Sequence, residues 1–249
     1  MTAPVFVDES LGSIDPLDRP YVLDGPEGRH AVSVKRLRPG ETLVLTDGRG
    51  HWAEGVVGAT EGKDRLILDT LSAVRHEPPP RPRVVVVQAL PKGDRGELAV
   101  ETMTEVGVDA IVPWTASRCV TKWQGDRGRK ALAKWRATAR EAGKQSRRTR
   151  FPEIGEPATT KGVAELLAGA DFAAVLHEAA DTPLATVDLP SDGTVVLVVG
   201  PEGGVSPEET EIFSGAGARG CVLGPSVLRT STAGTAAVAL LLGRTGRWG

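Results

Sequence analysis

Cysteine is nearly missing from this chain of 249 residues, which carries two, Cys119 and Cys221. They show no metal-ligand spacing. A disulfide framework and a zinc site are therefore both disfavoured, and a reducing cytoplasm is the expected compartment. Long hydrophobic runs are missing as well. The longest, residues 236–242, falls far short of the roughly 20 apolar residues of a membrane helix and reads as a buried helix. The opening Met1-Thr2-Ala3-Pro4-Val5-Phe6-Val7-Asp8 lacks the basic-then-apolar order of a signal peptide. There is no internal repeat and no low-complexity tract. What remains is an ordinary globular composition, 40% hydrophobic and 25% charged, long enough for one large domain or two modest ones.

The net charge of −2 argues by itself against a nucleic-acid partner, but its distribution argues the other way. Residues 121–150 contain eleven basic residues: Lys122, Arg127, Arg129, Lys130, Lys134, Arg136, Arg140, Lys144, Arg147, Arg148 and Arg150. Only Asp126 and Glu141 oppose them, so the segment is +9 and the remainder −11. This asymmetry is the expected footprint of a local polyanion site, with a solvated basic helix face as the competing reading.

Residues 1–75 read as short strands and turns. Val5-Phe6-Val7, Thr42-Leu43-Val44-Leu45, Ala53-Glu54-Gly55-Val56-Val57 and Arg65-Leu66-Ile67-Leu68 are β-like, and Asp47-Gly48-Arg49-Gly50 is a hairpin turn signal. One short helix is expected over 30–37, and the whole suggests a small β-barrel. Four prolines in the five positions 78–82 make 76–83 the linker. From residue 84 to 249 the pattern becomes strand–helix alternation, which predicts an α/β domain with a mostly parallel sheet. Val84-Val85-Val86-Val87 has the look of a strand buried on both faces. Further strands are expected over 110–114, 172–176, 194–199 and 220–223. Asp94 with Glu97, and Ser206 with Glu209, are spaced as capping boxes, the second with Pro207 at the first helical position. Residues 131–144 read as a basic helix and 231–242 as a final apolar one.

Two loops carry the chemistry. Val195-Val196-Leu197-Val198-Val199 runs straight into Gly200-Pro201-Glu202-Gly203-Gly204, and Cys221-Val222-Leu223-Gly224-Pro225 ends a second strand before Leu228-Arg229-Thr230 opens a helix. In open parallel sheets ligands bind beyond the carboxyl ends of the strands, and glycines there expose backbone amides. Neither loop ends in the Gly-Lys-Ser/Thr of a phosphate loop, and neither is a GxGxxG fingerprint. The acidic Glu202 would repel phosphate and suit a cationic ligand, such as the sulfonium and amino group of S-adenosylmethionine. His177-Glu178 follows a strand end but lacks the second histidine of a HExxH zinc site, so no metal is expected.

These loops, extended through Ser231-Thr232-Ala233, resemble those of the SPOUT methyltransferases of the RsmE type. Those bacterial enzymes methylate N3 of a uridine in 16S ribosomal RNA of the small subunit. Further matches span nearly the whole chain: Leu43-Val44-Leu45-Thr46-Asp47-Gly48, Leu90-Pro91-Lys92-Gly93-Asp94-Arg95, Glu105-Val106-Gly107-Val108, Ser117-Arg118-Cys119-Val120 and the run from Gln145 through Ile154. Lys144 and Ser231 depart from it, standing where acidic residues are common in the family.

The resemblance implies a PUA-like RNA-binding β-barrel at 1–75 and a SPOUT methyltransferase domain at 84–249 with a C-terminal trefoil knot. It also implies a homodimer with each site near the subunit interface. The cofactor residues it implies are Leu176, His177 and Glu178 in a first loop, Gly200, Pro201, Glu202, Gly203 and Gly204 in a second, and Leu223, Gly224, Leu228, Arg229 and Thr232 in a third. Arg229, Arg148 and Arg95 are the candidates for stabilising charge that develops on the uracil carbonyls. Lys35, Arg36 and Arg38 in the first domain, and Lys92, Arg95, Arg147, Arg148 and Arg150 in the second, are the candidate RNA contacts. No general base stands out. Two other functions stay open: a ribose 2′-O-methyltransferase of the same superfamily, and a non-catalytic RNA-binding assembly factor.

Overall fold

The computed structural model describes residues 3–13 and 20–248, so the first two residues of the N-terminal segment lie outside it. The chain divides into two compact units: residues 1–79 with 143–151, and residues 80–142 with 152–249.

In the first unit β3 (Thr42–Thr46) pairs antiparallel with β4 (His51–Glu61), and β4 with β5 (Arg65–Leu71). The edges are β1 (Val5–Val7), parallel to β3, and β2 (Tyr21–Leu23), antiparallel to β5, while β6 (Arg75–His76) pairs with β4. Period-two alternation sends Leu43 and Leu45 of β3, and Leu66 and Leu68 of β5, into a core closed by Phe6, Leu11, Leu23, Ala31 and Val57. Among the described residues the β1 and β2 edges do not pair with each other, so the expected β-barrel is an open half-barrel. The helix expected over 30–37 starts earlier. Gly25-Pro26 opens α1 (Gly25–Arg29), because proline in the first turn is preorganised for a helix, and a π-helical turn follows over His30–Val34.

The end of the basic segment belongs to this unit. Thr149 O accepts from Thr46 Oγ1 at 2.7 Å and from Gly50 N at 3.1 Å, and Phe151 N donates to Gly48 O at 2.8 Å. Lys144, read above as part of a basic face, is instead buried, with Nζ 2.9 Å from Glu27 Oε1 and 3.3 Å from His30 Nδ1. A buried ammonium needs such partners, which removes Lys144 from any RNA surface. The chain therefore passes between the two units after residue 79 and again on either side of 143–151.

The second unit holds six parallel strands in the order β12-β10-β11-β7-β8-β9. They are β7 (Arg83–Ala89), β8 (Ala110–Trp114), β9 (Glu153–Ile154), β10 (Phe172–Leu176), β11 (Thr194–Val199) and β12 (Arg219–Cys221). The helices are α2 (Arg95–Val106), α3 (Gly125–Gln145), α4 (Thr160–Ala168), α5 (Pro207–Gly215) and α6 (Thr230–Arg244). The valines of β7 are buried on both faces, as a central parallel strand requires. Trp114 and Trp135 are core residues, and Trp123 packs edge-on against Trp135. Helix α5 has its capping box, Ser206 with Glu209. The one expected at Asp94 does not form. Asp94 has φ −85°, ψ 3°, not the extended backbone a cap needs, and Glu97 turns to Lys134 Nζ at 3.0 Å. Helix α2 ends instead on Gly107 in the left-handed conformation (φ 106°), which releases the chain into β8. Helices α2 and α6 meet at Gly234, where a Cβ would sit 2.6 Å from Met103 Sδ.

Candidate active site

Three strands of the second unit end at one level. Leu176 of β10 lies opposite Val199 of β11 on one side and Cys221 of β12 on the other. Three loops therefore leave the carboxyl edge of the sheet side by side, the place where open parallel sheets bind ligands.

The first loop is anchored by His177 N donating to Cys221 O at 2.9 Å, and it returns to pair with Val222 through Thr182 O and Leu184 N. His177 Nδ1 accepts from Ala179 N at 3.1 Å, so the neutral ring carries its proton on Nε2. In the second loop Gly204 N donates to Pro201 O at 2.9 Å, and Gly204 holds φ 73°, a conformation glycine adopts without strain. A Cβ on Gly200 would lie 2.9 Å from Val205 Cγ2, so this loop closes on itself only without a side chain there. Glu202 Oε1 accepts from Lys92 N at 3.1 Å, tying the loop to the segment after β7. The third loop is exposed, Val227 to 77%, and ends on Arg229, the N-cap of α6. Buried Gln88 holds the first turn of that helix through Nε2 to Thr230 O at 3.3 Å.

Between the loops lies a cleft of about 370 Å³, within the range of small-molecule sites. Every residue expected to hold cofactor lines it except Gly203 and Thr232. Gly203 instead packs against Arg118, and Thr232 Oγ1 donates to Arg229 O at 3.2 Å. Val199, Val205, Val222, Pro225, Ser226, Val227, Thr230 and Ala233 also line the cleft, although none was among the residues expected to hold cofactor. All but Val205 lie in the runs that carry the two loop motifs, but as apolar or small residues most of them carry no chemical signal of their own. Arg95, read as an RNA contact, lines the cleft too, while Lys92 is exposed outside the lining.

The donor set suits S-adenosylmethionine. Leu176, Val199, Val222, Leu223 and Leu228 offer apolar surface to an adenine. Exposed Glu178 and Glu202 suit the sulfonium and amino charges, and Arg95 and Arg229 suit the carboxylate. Cys221 ends β12 beside the cleft, but burial pushes its thiol above the ordinary 9.0, with the Arg219 charge only partly opposing, and burial does the same to Cys119. Neither is a thiolate at neutral pH.

The cations separate into two groups. Lys35, Arg36 and Arg38 are exposed in the first unit, Arg36 with φ 55°. Arg147 is exposed with φ 59°, and Arg148 is half-buried. Arg148 belongs to the first unit and is not among the cleft residues. Arg150, expected to bind RNA, is engaged internally: its guanidinium donates to Glu77 O at 2.8 Å and lies 3.5 Å from His76 Nε2. On α3, Lys134 pairs with Glu97, Arg136 with Glu156, and Arg129 with Asp126, so the +9 segment presents less charge than its composition suggests. Among the described residues no helix is long and apolar enough to cross a membrane.

Comparison with known proteins agrees with this geometry. The RNA methyltransferase domain family matches residues 77–242, and the RNA methyltransferase PUA domain family matches residues 23–71. Ribosomal RNA small subunit methyltransferase E of Mycobacterium bovis is 45% identical over 233 residues, covering 91% of this chain and 87% of that protein. The Bacillus subtilis protein of the same name is 27% identical over 86% of each chain. Among solved structures, the Neisseria gonorrhoeae methyltransferase E bound to S-adenosylmethionine superposes with a TM-score of 0.80 at 25% identity, over 98% of both chains. A Legionella pneumophila protein with the same cofactor bound gives 0.82 at 27% identity, again over 98% of both.

Proposed function

The chain belongs to the family of ribosomal RNA small subunit methyltransferase E, and from that premise we propose that it methylates N3 of a uridine in 16S ribosomal RNA, using S-adenosylmethionine held in the three-loop cleft. The observation that carries this reading is the register of Leu176 with Val199 and Cys221, which brings three separate loops to one cleft at the sheet edge.

The cofactor supplies an electrophilic methyl on a sulfonium that leaves as a neutral thioether, so no acid is needed for the leaving group. The chain must hold the base in line with that methyl, which contributes up to roughly 7–11 kcal/mol in ideal cases, and favour loss of the N3 proton. Arg229 is our candidate for stabilising negative charge that spreads onto the uracil carbonyls, a reading supported by its position in the cleft lining and on the N-cap of α6. Glu202, with one oxygen on Lys92 N, has a binding and loop-holding role rather than that of a base. Exposed Lys35, Arg36, Arg38 and Arg147 serve as phosphate contacts, which position RNA without reading its sequence. The target base must be unstacked or single-stranded to reach the cleft.

The finer architecture belongs to the same proposal. The strand order, with α6 packed on α2 and Arg247 reaching back to Pro82 O at 3.1 Å, supports a C-terminal trefoil knot. Val227 and Leu228 line the cleft yet stay exposed to 77% and 40%, which supports a homodimer that covers its open side. A methyl-transfer assay on purified small subunits, followed by nucleoside mass spectrometry, tests the activity: methyl on a ribose or on another base refutes the N3 assignment.

A further inference from the structure

The second loop of the cleft is gripped from outside by two residues that do not line it. Arg118 follows β8. It donates from Nη1 to Gly203 O at 3.1 Å, and its stem lies against the same glycine, so that a Cβ on Gly203 would meet Arg118 Cβ at 3.3 Å. Behind it sits Glu209, 4% exposed. The Glu209 carboxylate accepts from Ser117 N at 2.7 Å, Thr160 Oγ1 at 3.1 Å and Ser206 N at 3.1 Å. Donors converging on one buried carboxylate make a rigid junction, since each would be left unsatisfied by movement. Ser117 is the residue before Arg118, and Ser206 closes the loop that Gly200 opens. One buried carboxylate thus sets both the backbone from which Arg118 departs and the far end of the loop that Arg118 holds.

We infer that Arg118, seated by Glu209, is a positioning residue that presets the Gly200–Ser206 loop in its cofactor-binding shape before any cofactor arrives. A loop with three glycines has much backbone freedom to lose on ordering. A clamp that removes that freedom in the free protein raises affinity without touching the ligand. The inference rests on reading the cleft as an S-adenosylmethionine site.

Hydrogen exchange at 200–206 in the cofactor-free protein, with calorimetric titration of S-adenosylmethionine, tests it on Arg118→Ala, Arg118→Lys and Glu209→Gln. Arg118→Ala should speed exchange of the Gly204 amide, which donates to Pro201 O, and weaken cofactor affinity about tenfold, the value of one charge-assisted hydrogen bond. Its melting temperature should stay within about 2 °C of wild type, because the side chain is exposed. Arg118→Lys should recover part of the affinity, since an ammonium still donates to Gly203 O but lacks the planar guanidinium. Glu209→Gln should speed the same exchange and also lower the melting temperature, being buried. Unchanged exchange in Arg118→Ala overturns the inference, whatever happens to affinity, because the clamp would then not preset the loop. Unchanged exchange in Glu209→Gln removes Glu209 from it. A wild-type protein that binds no S-adenosylmethionine refutes the proposed function, and the exchange of the free protein still judges the clamp.

Discussion

Replacing Arg247 with alanine should destabilise the second unit by about 3 kcal/mol. Arg247 follows the end of α6 and is folded back by its own N donating to Leu242 O at 3.0 Å. Its guanidinium grips both oxygens of Asp109, at 2.6 and 3.0 Å, and reaches Pro82 O at 3.1 Å and Gly107 O at 3.4 Å. Asp109 Oδ2 also accepts from Val84 N at 2.8 Å. One ion pair therefore ties the C-terminal turn to the start of β7 and to the α2–β8 connection. The side chains are 15% and 5% exposed, so removing the arginine leaves a nearly buried carboxylate with a single donor. Breaking such a pair from one side costs about 3–5 kcal/mol. The lower end applies here, because Asp109 keeps the Val84 N–H and Arg247 is itself 15% exposed. For a chain of this size that is a fall of about 6–12 °C in melting temperature. Urea unfolding followed by tryptophan fluorescence reads this unit, which holds four of the five tryptophans. A double-mutant cycle with Asp109→Ala should give a coupling of about 2 kcal/mol and an unchanged urea slope. A coupling below about 0.5 kcal/mol, the level of exposed ion pairs, would refute the reasoning.

Gly234→Ala sets about 1 kcal/mol of gained helix propensity against overpacking of the fully buried Met103, whose thioether end can partly give way, so its melting temperature should change little, and an added Met103→Ala should show a coupling that isolates the overpacking. Asp47 titrates below its ordinary value of 3.8: burial pushes it up, but Arg49 N, the His51 side chain, His51 N and the His51 charge together outweigh it. A depressed carboxyl gives stability that is complete above its unfolded value and lost as pH falls through the folded one. Asp47→Asn should therefore melt below wild type at pH 7, and the gap should close as pH drops below 3.8. The triple variant Lys35→Ala, Arg36→Ala, Arg38→Ala should bind small-subunit RNA more weakly and reduce the salt slope by about 2–3, with cofactor affinity unchanged; an unaltered slope would remove these residues from the RNA surface.

The cleft was legible to the extent that its chemistry lies in contiguous runs. Gly200-Pro201-Glu202-Gly203-Gly204 and Leu223-Gly224 announce themselves because glycine and proline after a β-branched run have one common cause, a chain leaving a sheet edge. Leu176, His177 and Glu178 carry no such signal and entered only through the family resemblance. Val227 and Ala233 lay within the motif runs but were not assigned to the cofactor, since an apolar residue in a loop or helix looks the same whether it faces a cleft or the core. The basic segment misled in part for a related reason. Eleven cations in one stretch read as one surface, yet Lys144 is buried on Glu27 and Arg150 is engaged by Glu77. Their partners lie 117 and 73 residues away, beyond any local pattern.

The sequence by itself determined what depends on near neighbours: the β-branched strands, the Ser206–Glu209 capping box, the α/β alternation of the second unit and the glycine loops at its strand ends. The tertiary structure alone decided what depends on register and on distant partners. It left the first sheet open, returned 143–151 to the first unit, denied Asp94 its cap, and set Leu176, Val199 and Cys221 at one level. The physical reason is common to all of these. Local propensity and spacing choose an element, but the free energy of burying a charge or pairing a strand depends on a partner brought close only by the folded chain.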